Sequence, residues 1–172
     1  MKPKDITAMR KVRISKVTLN IGAGKDEALL KKGLILLQKL SPLTPVKTVA
    51  KKRIPEWGLR PGLAIGCKVT VRKDAEQLLQ RLLVAKSKVL SPKCFDGNGN
   101  FSFGIHEYID IEGLEYDPEL KLMGLEVAVT LERPGYRVKH RSIKAGQVGK
   151  RQRLSAQEAM DFVKNLGVEI KE

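Results

Sequence analysis

The sequence predicts an α+β fold: a mainly antiparallel sheet with helices packed on one face and the other face left open. Three observations carry this. Segments at 16–21, 67–72 and 125–132 alternate apolar and polar residues, the period of a half-buried strand. Between them stand segments with helical spacing and recognisable ends. The order strand, helix, strands, helix, strands, helix clusters the strands, which suits an antiparallel sheet better than repeated βαβ units. At 172 residues one domain is expected, long enough to bury its core without a disulfide or metal staple.

The elements follow in order. Val12 to Ile21 reads as a strand. Val17, Leu19 and Ile21 share one parity, Val12 and Ile14 the other, so a bulge near Ser15 is expected. Gly22-Ala23-Gly24 ends it. Asp26 to Leu40 reads as a helix with acids at its start and Leu29, Leu30, Leu34, Leu37 and Leu40 on its apolar side, stopped by Ser41-Pro42. Val46 to Lys51 is a short strand, and Lys52 to Gly66 a loop holding Pro55, Gly58, Pro61 and Gly62. Cys67 to Arg72 is the cleanest strand. Asp74 and Gln77 predict a capping box for a helix burying Leu78, Leu79, Leu82, Leu83 and Val89 and ending before Pro92. Asp96 to Asn100 is a turn. Phe101 to Ile105 and Tyr108 to Ile111 read as short extended pieces. Leu125 to Glu132 is another strand. Ser155 and Glu158 form the capping box of a last helix that ends at Gly167, and Val168 and Ile170 add an edge strand.

Charge narrows the function. There are 33 Lys+Arg against 19 Asp+Glu, a formal net charge of +14, which is costly in self-repulsion unless a polyanion neutralises it. The cations are segregated. Residues 1–16 carry six basic side chains and only Asp5 as an acid; residues 46–73 carry eight and only Glu56; residues 133–153 carry eight and no acid. Residues 95–132 carry nine acids and only Lys121. Clustered cations point to nucleic acid. The acidic stretch is free to face a basic protein partner or solvent. No apolar run has the length of a membrane helix, and the N-terminus lacks the apolar stretch of a secretory signal, so a cytoplasmic protein with no membrane partner is expected.

Other chemistry finds little support. Cys67, Cys94, His106 and His140 form no close pair, so no metal is expected. Gly22 and Gly24 begin a dinucleotide fingerprint, but its third glycine falls at Glu27, an acid set against a pyrophosphate; the pair reads as a tight turn, and no cofactor is expected. There is no Walker pattern and no nucleophile elbow.

The polar strand faces say more. Lys16, Thr18 and Asn20, and Lys68, Thr70 and Arg72, put cations and neutral hydrogen-bonding groups on the side away from the core. Lysine and arginine meet phosphates; threonine and asparagine reach sugars and base edges. Two basic projections accompany this face. One, residues 51–66, carries Lys51, Lys52, Arg53 and Arg60 around Trp57, the only tryptophan, suited to stacking on nucleic acid unless the indole folds back into the core. The other, residues 133–153, carries Arg133, Tyr136, Arg137, Lys139, Arg141, Lys144, Lys150, Arg151 and Arg153 with three glycines, and reads as an arm ordered by a partner.

Four ordered blocks carry a resemblance. Lys16-Val-Thr-Leu-Asn-Ile-Gly-Ala-Gly24, Val49-Ala-Lys-Lys-Arg53, Arg60-Pro-Gly-Leu-Ala-Ile-Gly-Cys-Lys-Val-Thr-Val-Arg72 and Phe101-Ser-Phe-Gly-Ile-His-Glu107 resemble the ribosomal protein L5 family of the large subunit over nearly the whole chain. The stretch from Glu132 to Arg153 is similar to the archaeal and eukaryotic branch, and the lack of a longer tail favours an archaeal source. The resemblance implies a structural protein that binds 5S rRNA and helps attach it in the central protuberance. The implied 5S-binding residues are Lys16, Thr18, Asn20, Lys47, Thr48, Lys68, Thr70 and Arg72. The bacterial pattern has a glutamine near the second strand, where this chain reads Leu43-Thr44-Pro45, so that contact does not carry over. The resemblance further implies large-subunit rRNA and other central-protuberance proteins as partners. It sends the loop Lys51 to Gly66 toward the P-site tRNA, and it implies an intersubunit bridge to a small-subunit head protein.

Two other functions compete. One is a free-standing RNA-binding or architectural protein, including a DNA binder; an RNA-recognition motif would need aromatics on its central strands, and only Phe101 and Phe103 come close, without the flanking basic pattern. An RNA-modifying enzyme needs a cofactor loop or catalytic cluster, and the sequence has neither.

Overall fold

The computed structural model describes residues 8–171. The acidic and basic residues among positions 1–7, part of the basic N-terminal segment, lie outside the described residues. Five strands form one antiparallel sheet in the order β2-β3-β1-β6-β5: β1 (Arg13–Gly22), β2 (Val46–Val49), β3 (Ala64–Val71), β5 (Phe101–Ile105) and β6 (Leu125–Glu132). The two-residue strands β4 (Val89–Leu90) and β7 (Glu169–Ile170) pair in parallel as a separate small sheet. The fold class expected from the sequence is therefore the one observed.

Period-two alternation decides which face is buried. Val17, Leu19 and Ile21 of β1, Cys67, Val69 and Val71 of β3, Phe101, Phe103 and Ile105 of β5, and Leu125, Val127, Val129 and Leu131 of β6 all point into one core. The register of β1 against β6 shifts between Ile14 and Lys16, the bulge that the parity change demanded. Helix α1 (Glu27–Leu40) starts at Asp26, whose carboxylate accepts from the Ala28 and Leu29 amides at 2.8 and 3.2 Å, and buries Leu30, Leu36, Leu37 and Leu40. Gly33 faces the sheet so closely that a Cβ would sit 2.9 Å from the Cys67 sulfur, so this glycine sets the helix-to-sheet distance. Helix α2 (Ala75–Ala85) buries Leu78, Leu79, Leu82 and Leu83. Helix α4 (Ala156–Asn165) carries the Ser155/Glu158 capping box and ends before Gly167 at φ +80°.

Several elements differ from the sequence expectation. The Asp74/Gln77 capping box is absent: Asp74 sits at φ +55°, and an N-cap side chain needs an extended backbone to reach back to the first turn. Helix α2 stops at Ala85; Ser87 and Lys88 both have positive φ, and Val89 turns into β4. Residues 168–170 extend no edge of the main sheet; β7 pairs with β4 instead. Tyr108–Asp110 is a turn of 3-10 helix, not extended. It buries the Tyr108 ring, whose hydroxyl accepts from the Asp117 amide at 2.9 Å. β3 begins at Ala64, so the loop before it is shorter than expected.

Candidate nucleic-acid interface

Across the non-core face the register places Thr18 between Thr70 and Ala128, Asn20 between Lys68 and Glu126, and Lys16 opposite Thr130. Lys16, Thr18, Asn20, Lys68 and Thr70 thus form one contiguous patch on adjacent strands, with exposed Arg72 just past the end of β3. Thr48 stands opposite Gly66 and joins the same face. Lys47 does not. It lies opposite Cys67, a core-facing residue, so period-two pleating turns it to the helix side of the edge strand. Parity therefore sets Lys47 apart from the other residues expected to bind 5S rRNA.

The face is electrically divided. The β3–β1 half carries Lys16, Lys68 and Arg72. The β6–β5 half carries Glu126 and Glu132 with the small residues Ala128, Ser102 and Gly104, and no cation on those strands. Asn20 marks the border: its amide donates to the Glu126 carboxylate at 3.1 Å. The acids of the 106–124 segment continue beyond β5. There the Lys39 ammonium binds the Asp117 carboxylate at 2.6 Å, which holds Asp117 below and Lys39 above their ordinary pKa values.

The loop between β2 and β3 is held in shape by its backbone. Ala50 N–H donates to Leu63 C=O at 2.8 Å, Ile54 and Leu59 exchange hydrogen bonds at 3.1 and 3.0 Å, and Gly58 N–H donates to Pro55 C=O at 2.8 Å with Gly58 at φ +57°. Leu59 supplies the buried anchor. Trp57 stays 65% exposed at the tip, so the alternative of an indole folded into the core does not hold. Lys51, Lys52, Arg53 and Arg60 are exposed around it. Leaving an aromatic of this size in water forgoes roughly 2–3 kcal/mol of burial.

Residues 133–153 are braced at their base. Arg133, expected as a surface cation, is 8% exposed. It has the core parity of β6, and its guanidinium donates to Arg151 C=O at 3.2 Å and to the Glu158 carboxylate at 2.6 Å. The same carboxylate accepts from the Ser155 amide at 3.1 Å, so Glu158 closes the helix cap and anchors the arm together. Gln152 donates to Met9 and Pro134 carbonyls at 2.7 and 2.9 Å, and half-buried Tyr136 donates to Gln152 C=O at 3.4 Å. The short helix α3 (Arg137–His140) follows, with His140 3.3 Å from Glu132. Arg141 and Arg153 each donate one N–H to a loop carbonyl, of Lys144 and Val148. Arg137, Lys139, Arg141, Lys144, Lys150, Arg151 and Arg153 are all exposed. The sequence carried no signal for Gln152 as a brace, and showed Glu158 only as a cap.

The thiol of Cys67 is enclosed between β3 and α1, and burial pushes its pKa up. Among the described residues no three His, Cys, Asp or Glu side chains come together as a metal site. No described helix is long and apolar enough to cross a membrane.

One side of the sheet is core and the other a polar platform with two cationic projections. This is the build of a nucleic-acid-binding scaffold. Sequence comparison gives the family. Residues 8–60 match the sequence model of ribosomal protein L5, and residues 64–166 match the model of the C-terminus of the same ribosomal family. The large ribosomal subunit protein uL5 of Nanoarchaeum equitans is 51% identical over 165 residues, covering 94% of this chain and 97% of the relative. That of Sulfurisphaera tokodaii is 46% identical over 170 residues (97% and 96%), and that of Nitrosopumilus maritimus 42% over 164 (94% and 95%). The chain belongs to the ribosomal protein L5 family, whose members are structural components of the large ribosomal subunit and not enzymes. The archaeal relatives agree with the branch that residues 132–153 suggested.

Proposed function

We propose that this chain binds 5S rRNA through the β3–β1 half of its open sheet face and helps attach that RNA in the central protuberance. The observation that carries this reading is the register. It sets Lys16, Lys68 and Arg72 around the neutral groups Thr18, Asn20 and Thr70, an arrangement in which cations hold phosphates while amide and hydroxyl groups reach sugars and base edges. The pinned loop with exposed Trp57 and four cations reaches a second RNA, the P-site tRNA. The cations of residues 137–153 reach large-subunit rRNA. Other central-protuberance proteins are neighbours, and a small-subunit head protein meets the chain in an intersubunit bridge. A salt titration of 5S rRNA binding tests the central claim. A protein making ~6–10 phosphate contacts loses about 10³–10⁵ in affinity between 50 and 200 mM salt on the duplex relation, so a nearly flat titration would sink this reading.

A further inference from the structure

A cleft of about 350 Å³ lies between the base of the arm and the end of the open sheet face. Its walls are Asn98 and Asn100 from the turn before β5, Thr130 and Glu132 from β6, and Tyr136, Gln147 and Val148 from the arm, with Lys139 and Arg153 also lining it. We propose that this cleft receives an unstacked nucleotide of a structured RNA, its base edge read inside and its phosphates held by Lys139 and Arg153. The inference rests on the reading of the open face as RNA-binding and adds a site to it.

Four features support the assignment. First, the cleft is continuous with the cationic half of the face, because Thr130 stands opposite Lys16 in the register. Second, the charges of the lining orient what enters. Glu132 stands in the wall, where a carboxylate accepts well from the amino and imino groups of a base and repels a phosphate, while Lys139 and Arg153 in the same lining attract one. A nucleotide in the cleft therefore sets its base edge toward Glu132 and its phosphates toward the two cations. Third, the lining keeps free hydrogen-bonding capacity. The side-chain amides of Asn98 and Gln147 and the hydroxyl of Thr130 make no hydrogen bond among the described residues; only the Asn98 backbone N–H is engaged, with Asp96. Uncharged amides and a carboxylate beside an aromatic ring are the groups that read base edges, and the size falls at the small end of ligand clefts. Fourth, the walls are fixed before any ligand arrives. Asp96 clamps the turn by accepting from the Asn98 and Asn100 amides at 2.9 and 2.7 Å, and Arg133, Gln152 and Tyr136 brace the arm. A preformed slot spares the ordering cost that weakens binding by a loose arm.

The test uses the full-length protein with 5S rRNA in one arm and large-subunit rRNA in the other, read by chemical probing of unpaired bases and by affinity against salt. The Asn98→Ala/Gln147→Ala variant removes side-chain amides that brace nothing. It should expose at least one base that the wild type protects and weaken binding about tenfold, with the salt slope unchanged, because the lost groups are neutral. Lys139→Ala, whose side chain makes no hydrogen bond among the described residues, should instead lower the slope by about one. Circular dichroism controls for folding, and Gln147→Ala alone serves if the double variant is unstable. Loss of protection on either RNA supports the proposal and names the source of the nucleotide. Identical protection and affinity in wild type and the amide variant overturns the cleft while leaving the open-face reading intact. A wild type that protects no base on either RNA overturns both.

Discussion

The two halves of the open sheet face share one backbone and one pleat yet carry opposite charge. On β3 and β1 the outward positions hold Lys68, Thr70, Lys16, Thr18 and Asn20; on β6 and β5 they hold Glu126, Ala128, Thr130, Glu132, Ser102 and Gly104. An open sheet face is therefore no uniform platform. Phosphates are attracted to one half and repelled from the other, and Asn20, bonded to Glu126, sits on the line between them. Secondary structure alone cannot tell the halves apart, since both alternate with period two. The outward residues decide.

Charge reversal separates the halves most strongly. Lys68→Glu with Arg72→Glu should weaken 5S rRNA binding by at least about a hundredfold at moderate salt and lower the salt slope by about two. Glu126→Gln, one strand beyond Asn20, should leave affinity unchanged or tighten it by a few fold. Equal losses from the two changes would mean that RNA covers both halves alike. Backbone packing offers a second contrast. A Cβ on Gly66 would lie 2.7 Å from the Ile21 carbonyl oxygen, whereas a Cβ on Gly104 meets nothing within 4 Å. Gly66→Ala should cost roughly 1–3 kcal/mol in denaturant unfolding, and Gly104→Ala should be neutral or slightly stabilising.

Smaller effects trace the border. Thr70→Ala should weaken 5S rRNA binding by about 0.5–1.5 kcal/mol and reduce discrimination against unrelated RNA, because a neutral contact is lost and not a phosphate anchor. Asn20→Ala should cost more than Thr70→Ala, since it also frees the Glu126 carboxylate to act on the RNA. If both variants kept wild-type affinity and selectivity, the patch would not be the reading surface. The smallest effect on 5S binding belongs to the loop. Trp57→Ala should leave it within about twofold, yet reduce retention of P-site tRNA on assembled ribosomes modestly, because other ribosomal contacts hold the same tRNA. As the only tryptophan, Trp57 should also show fluorescence quenching with tRNA and little change with 5S rRNA. A folded Trp57→Ala protein that failed to bind 5S rRNA would put the loop in the primary site.

Much of this molecule was legible in the sequence. Period-two alternation located β1, β3 and β6 and told their buried faces from their open ones, because a pleated strand sends successive side chains to opposite sides whatever its neighbours are. The parity change at Ser15 announced the bulge, and the Asp26 and Ser155 caps announced their helices, since capping is a matter of a few adjacent residues. What depended on distant contacts was not legible. Asp74 looks like a cap by type, but the tight turn out of β3 holds it at positive φ, where it cannot cap. Lys47 looks like a neighbour of the open-face lysines, but its face was fixed only when β2 paired with β3 in the register that sets it opposite Cys67. Arg133 looks like the first cation of a loose arm, but Glu158, 25 residues away, draws it inward. Local stereochemistry and residue type were enough to settle the main-sheet strands β1, β3 and β6, most of the caps, the net charge and its segregation. Strand order and register, the border at Asn20 and the braced cleft beside the arm came only with the folded chain. Each of these requires segments far apart in the chain to meet, and a hydrogen bond or an ion pair between them leaves no periodic trace in the residues that will form it.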